Sequence, residues 1–334
     1  MFKKIYTALL CLLFFFPFSN TQTYAAELTP IEKSKINKLQ QEYAQLDNTA
    51  FNFNNLYLTK PHFKTKFKQG VLVPAYLTSQ LAYTNYYREL FGLNPVNENS
   101  EDNIAAQKTA AVLAALNANP MINQHNLPHD KRPKLISKDT WQLARNTSNQ
   151  ANLNFNTTDQ SAGDVITDLL TDRYNLGGAD TGHRAWLLST RLTTTGIGAA
   201  YGTNGYRYSV QKVFNPVDVF RSPSQEMVTY PSAGVFPIEL LAGENIAWSV
   251  YLSSRHFEGT PTITITDKDN GATYQAKNVH NYSKTGYGNF ETIITYYPGS
   301  MPLIVGHEYE VKITGLTTYS FKLFQLQEKS SSAQ

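Results

Sequence analysis

The chain of 334 residues has one cysteine, Cys11, and that residue sits in an apolar N-terminal run. No internal disulfide can form, so the fold must rest on its core. Charge is also scarce, with Asp, Glu, Lys and Arg making up 16% of residues. The 29 basic and 26 acidic residues nearly cancel, and Lys3 and Lys4 belong to the leader. A near-neutral chain argues against nucleic acid as the main partner, because neutralising phosphates requires a basic surface. Beyond the leader no apolar run is long enough to span a membrane, which requires about 20 residues. There is no phosphate loop and no nucleophile elbow, and Gly196-Ile197-Gly198 lacks the third glycine of a dinucleotide fingerprint. His307-Glu308 opens like a zincin motif, but Val311 stands where the second histidine would be.

Aromatic residues, by contrast, are abundant: 13%, with 21 tyrosines. That composition suits a packed extracellular globule rather than a disordered chain. Met1-Phe2-Lys3-Lys4, the apolar run from Ile5 to Phe18 and the ending Thr23-Tyr24-Ala25-Ala26 have the pattern of a secretory signal peptide, residues 1–26. The remaining chain is long enough for two domains.

Apolar periodicity predicts helices over 29–47, 76–91, 100–116, from Ser137 through Ala144, and near 161–173. Strands are expected over 194–201 and 206–214, around a turn at 202–205. After Ser222-Pro223 helical periodicity disappears. Short alternating runs at 247–252, 262–266, 290–296 and 309–313, separated by turns such as Asp267-Lys268-Asp269-Asn270-Gly271, predict a β-sandwich. The fold class is thus α+β followed by a small all-β unit. The expected divisions are a helical extension (27–72), an α+β domain (73–222) and a β-sandwich (223–334).

The most informative stretch is Gly178-Ala179-Asp180-Thr181-Gly182-His183-Arg184-Ala185-Trp186-Leu187-Leu188. It places a titratable ring between a glycine loop and an apolar anchor, as a pocket wall requires. His183 can equally be a core histidine bonded to backbone. Upstream, in order, stand Tyr86-Tyr87-Arg88-Glu89-Leu90-Phe91-Gly92-Leu93, His125-Asn126-Leu127-Pro128, Ser148-Asn149-Gln150-Ala151 and Asp172. In that order and spacing, residues 75–215 resemble the CAP superfamily (the SCP domain; cysteine-rich secretory, antigen 5 and pathogenesis-related proteins), and within it the bacterial secreted branch. Tyr230-Pro231-Ser232-Ala233-Gly234-Val235-Phe236-Pro237 is similar to the segment that opens the β-rich tail of many bacterial members.

The resemblance implies an α-β-α sandwich with a cleft holding two histidines and two acids. His125 and His183 match the histidines, and Asp172 stands for one glutamate. Ser148, followed by Asn149, occupies the place of the other. The implied cleft is His125, Ser148, Asn149, Asp172, His183 and Arg184. Within it His125, His183 and Asp172 are candidate ligands of a divalent ion such as Zn2+. Lipid and sterol binding in the family implies an apolar or amphipathic ligand. The β-sandwich would attach the protein to a cell surface, polymer or partner. The expected function is therefore a secreted, non-enzymatic binding protein. The alternative is a metal-assisted hydrolase of peptide or cell-wall material.

Overall fold

The computed structural model describes residues 27–326; the expected signal peptide lies outside the described residues. In chain order the first half comprises α1 (Pro30–Gln45), β1 (Tyr57–Thr59), β2 (Val71–Leu72), α2 (Pro74–Leu90), β3 (Asn97–Glu98), α3 (Ser100–Leu116), α4 (Lys138–Ser148), β4 (Ala151–Asn156), α5 (Ala162–Thr171) and α6 (Gly182–Leu187). Strands β5 (Thr194–Tyr201) and β6 (Arg207–Lys212) complete it. The second half is built of strands: β7 (Met227–Tyr230), β8 (Gly234–Pro237), β9 (Trp248–Leu252), β10 (Ile263–Asp267), β11 (Thr273–Gln275), β12 (Lys277–Asn281), β13 (Thr292–Tyr297), β14 (Glu308–Ile313) and β15 (Thr317–Phe324). This is the expected α+β class.

Local chemistry accounts for the helix ends. Thr29 caps α1 in a reciprocal box with Glu32, Ser137 caps α4, and Ser161 caps α5 in a box with Asp164. Asn99, rather than Ser100, caps α3.

Strands β3-β5-β6-β4 form a sheet in that order, with β6 antiparallel to both neighbours. The β5–β6 pair is therefore not an isolated ribbon. One face carries Tyr208, Val210 and Ala200 against α3 and α4. The other face meets α2 and α5, where Ile197 and Ala199 pack on Tyr76 and Ala162. The layers are helix, sheet, helix. Helix α3 lies flat on β5 because Gly196 and Gly198 present no side chain: a Cβ at Gly198 would stand 2.3 Å from the Ala106 backbone. The glycines thus serve close packing. Along the β5 edge, the Gln107 side chain accepts from Ala199 N (2.9 Å) and donates to Ala199 O (3.1 Å), covering groups a free edge would expose.

The second half forms two sheets, β11-β10-β14-β15-β8 and β12-β13-β9-β7. They face each other across Trp248, whose ring meets Phe321 at 5.5 Å. The 231–237 segment, read as a loop in sequence, contains β8, an edge strand parallel to β15 that tolerates Pro237 there. Only part of this region is separate from the helical half. One continuous core joins Tyr87, Leu169 and Leu187 to Val235, Trp248, Ile293 and Phe321. Helix α1 packs on this core too: Tyr86 donates to Leu39 O, and Lys322 binds Glu32 at 3.0 Å.

Candidate functional site

Helix α5 ends at Asp172, which adopts the left-handed conformation (φ 57°) as the C-terminal cap. That turn presents its carboxylate to the next helix. Asp172 Oδ1 accepts from His183 Nδ1 at 2.7 Å, and Oδ2 accepts from Arg184 N at 3.1 Å. The intervening loop is tied down by Asp180, whose Oδ1 accepts from Asn175 Nδ2 (2.6 Å) and from Gly182 N (3.1 Å). From β4, Asn152 donates to the His183 carbonyl.

His125 reaches the site from the loop after α3. Two successive residues with positive φ, Asn126 (63°) and Leu127 (47°), turn the chain sharply there. The turn is fastened to the end of α4: Asn126 N donates to Ser148 Oγ at 3.0 Å, and Arg145 Nε donates to Asn126 O. His125 Nδ1 lies 2.7 Å from Ser148 O. A carbonyl only accepts, so Nδ1 carries the proton and the neutral ring has its lone pair on Nε2.

The electrostatics separate the two rings. Burial holds His125 below its ordinary value, and a charge on His183 lowers it further, against the raising effects of the Ser148 carbonyl and Asp180. Burial also opposes the charged form of His183, but the charge of Asp172, its hydrogen bond and Asp180 together outweigh burial and raise the pKa. Burial pushes the Asp180 carboxyl up, and the neighbouring Asp172 charge adds to that. His125, His183, Asp172 and Asp180 therefore form one electrostatic cluster.

Asp180 is the acid that motif reading missed. Its signal in the sequence is weak: an aspartate three residues before the histidine, in a glycine loop that hides which way it faces. Ser148 is fully buried and acts as a fastener. Its hydroxyl donates to Arg145 O and accepts from Asn126 N, so it makes no bond to the imidazole. Asn149 caps α4 and is exposed. Arg184, expected in the cleft, points away from it. Its side chain is wholly buried and donates to Leu170 O, Thr171 O, Ala247 O and Ser249 Oγ, with its guanidinium 3.7 Å from the Tyr230 ring centre.

The metal expectation needs the same correction. Ligand atoms of His125, His183 and Asp172 do not converge within 4.8 Å as a trio; among the described residues only Asp267, Asp269 and His307 do so. Asp172 Oδ1 and His183 Nδ1 are 2.7 Å apart, so it is His125 that fails to complete the trio; both Asp172 oxygens are moreover engaged by His183 and Arg184, which makes it a support for His183 rather than a third ligand. What remains open is Nε2 on each ring. Among the described residues neither Nε2 has a hydrogen-bond partner, and neither is a fully buried unpaired atom. The Asp267 group lies at the turn after β10, where Asp267 accepts from His307 Nδ1 (2.9 Å), Asp269 N and Asn270 Nδ2.

Residues 81–213 match the family model of CAP, the cysteine-rich secretory protein family. The match spans the three-layer unit from α2 to β6 and contains His125, Asp172, Asp180 and His183. It supports placing this segment in the CAP superfamily. No curated protein matches the chain. Among the described residues no helix is long and apolar enough to cross a membrane.

Proposed function

We propose that the protein is a secreted CAP-domain binding protein of the bacterial branch, non-enzymatic, whose cleft holds a divalent cation on Nε2 of His125 and Nε2 of His183. The observation that carries this reading is the pair of Nδ1 bonds, to the Ser148 carbonyl and the Asp172 carboxylate, both at 2.7 Å. Metal-binding histidines are oriented in this way, with the second nitrogen donating to a carbonyl or carboxylate. The donor set suits zinc, with two imidazoles as ligands and the remaining positions left to solvent or ligand. The bound ion would supply Lewis acidity to an oxygen of whatever occupies those positions.

Serine-dependent hydrolysis is disfavoured, because the Ser148 hydroxyl is committed to backbone groups and is not paired with the His125 ring for activation; the metal-assisted alternative needs no serine and is separated by assay. Metal analysis of the mature protein tests the reading, alongside His125→Ala and His183→Ala. The wild type retains about one zinc per chain after dialysis against zinc, and each variant loses it. Retention by both variants, or no zinc in the wild type, would refute the metal site. Lipid extraction of the same preparation, and peptide and cell-wall hydrolysis assays with and without chelator, test the apolar-ligand and hydrolase alternatives directly.

A further inference from the structure

The sheet-rich half packs against the helix that carries His183. The turn Tyr287–Asn289, between β12 and β13, lies on α6 so closely that a Cβ at Gly288 would stand 2.2 Å from the Ala185 carbonyl oxygen. Tyr287 comes down over Gly182, where an added Cβ would lie 3.0 Å from its ring. Gly182 immediately precedes His183, so the phenol stands against the backbone that carries the imidazole. Among the described residues its hydroxyl has no partner, and it is not fully buried. Burial raises the Tyr287 pKa, and the charges of Asp180 and then Asp172 raise it further.

We propose that Tyr287 forms the specificity wall of this site and selects a neutral polyhydroxylated ligand of the saccharide type. The proposal rests on the reading of His125 and His183 as a ligand site. An anionic ligand would find its one attraction in the cation and would meet the Asp172 and Asp180 carboxylates beside it, while the adjacent arginine, Arg184, is turned into the core. A hydrocarbon would cover the Tyr287 hydroxyl, the free oxygen of Asp180 and the open positions of the cation without pairing them. Each such group left unpaired costs about 1–3 kcal/mol. A sugar ring offers hydroxyls to those groups and a C–H face to the tyrosine ring.

The test is ligand-observed and protein-observed NMR on the mature chain. The probes are neutral oligosaccharides at millimolar concentration: β-1,4-linked N-acetylglucosamine trimer, maltotriose, cellotriose and mannotriose. The wild type binds at least one, with shifts at Tyr287 and His183. Tyr287→Ala weakens binding by about tenfold, and Tyr287→Phe, which keeps the ring, by a few-fold, as loss of a single hydrogen bond predicts. Zinc content is measured on the same samples and stays at the wild-type level in both variants. No binding by any probe, binding indifferent to both Tyr287 variants, or a fatty acid or sterol taken up in their place would overturn the proposal. Sugar binding by a wild type that retains no zinc would instead sink the metal reading alone.

Discussion

Arg184→Met tests how the two halves depend on each other. The substitution preserves apolar bulk but removes every donor of a fully buried guanidinium. Three carbonyl oxygens then lose their partner: Leu170 and Thr171 at the end of α5, previously held at 2.6 and 2.7 Å, and Ala247 just before β9, held at 2.7 Å. The first two belong to a helix C-terminus, where carbonyls have no partner within the helix. Leaving a buried acceptor unpaired costs about 1–3 kcal/mol, so the expected loss is roughly 3–5 kcal/mol after partial relaxation. The stacking contact with Tyr230 disappears as well. For a chain of this size the melting temperature should fall by about 5–12 °C. Calorimetry and urea unfolding provide the measurement. Because the core is continuous across both halves, the wild type should melt in one transition. A loss under about 1 kcal/mol, typical of surface sites, or separate melting of the sheet-rich half would refute this reasoning.

Two further outcomes follow from the site and the sheet. In an NMR titration His183 should titrate above the ordinary value of about 6.5, and His125 below it. The signs then oppose: the stabilisation from His183 is full below the unfolded value and is lost as pH rises through its folded value. His125 stays neutral in the fold, so it costs stability as pH falls below about 6.5. Asp172→Asn should bring His183 down toward His125; an unchanged His183 would show that Asp172 does not set its charge. At Gly198, alanine would drive a methyl into the α3 backbone. We expect a loss of about 2 kcal/mol or more by denaturant unfolding, and a neutral result would mean α3 does not lie so close to β5.

Much of the fold was legible because its signals are local. The start signals at Thr29 and Ser137 and the apolar stripes located α1 to α5 within a few residues, while the short α6 was not anticipated. Strand β4 was not found, because Asn152, Asn154 and Asn156 alternate with Leu153 and Phe155 in a sequence that reads as loop. It is a strand because Leu153 and Phe155 pack with the α3–α4 layer, while Asn152 and Asn154 bond across to His183 and Asp168. The site was legible where order in sequence sufficed, at His125, Asp172 and His183. It failed where direction mattered. Nothing in Gly182-His183-Arg184 reveals that Arg184 points inward to β9, that Asp180 turns back onto Gly182, or that Tyr287 arrives from a hundred residues downstream.

The central claim is that the two imidazoles act together through Nε2. Zinc titration followed in the long-range 1H–15N spectrum of the histidine rings addresses it most directly. The account predicts that Nε2 of His125 and of His183 shift together at the first equivalent, with Nδ1 of each still protonated, while His307 beside Asp267 remains unmoved. Zinc that leaves both cleft rings unchanged, or that shifts His307 first, would contradict it.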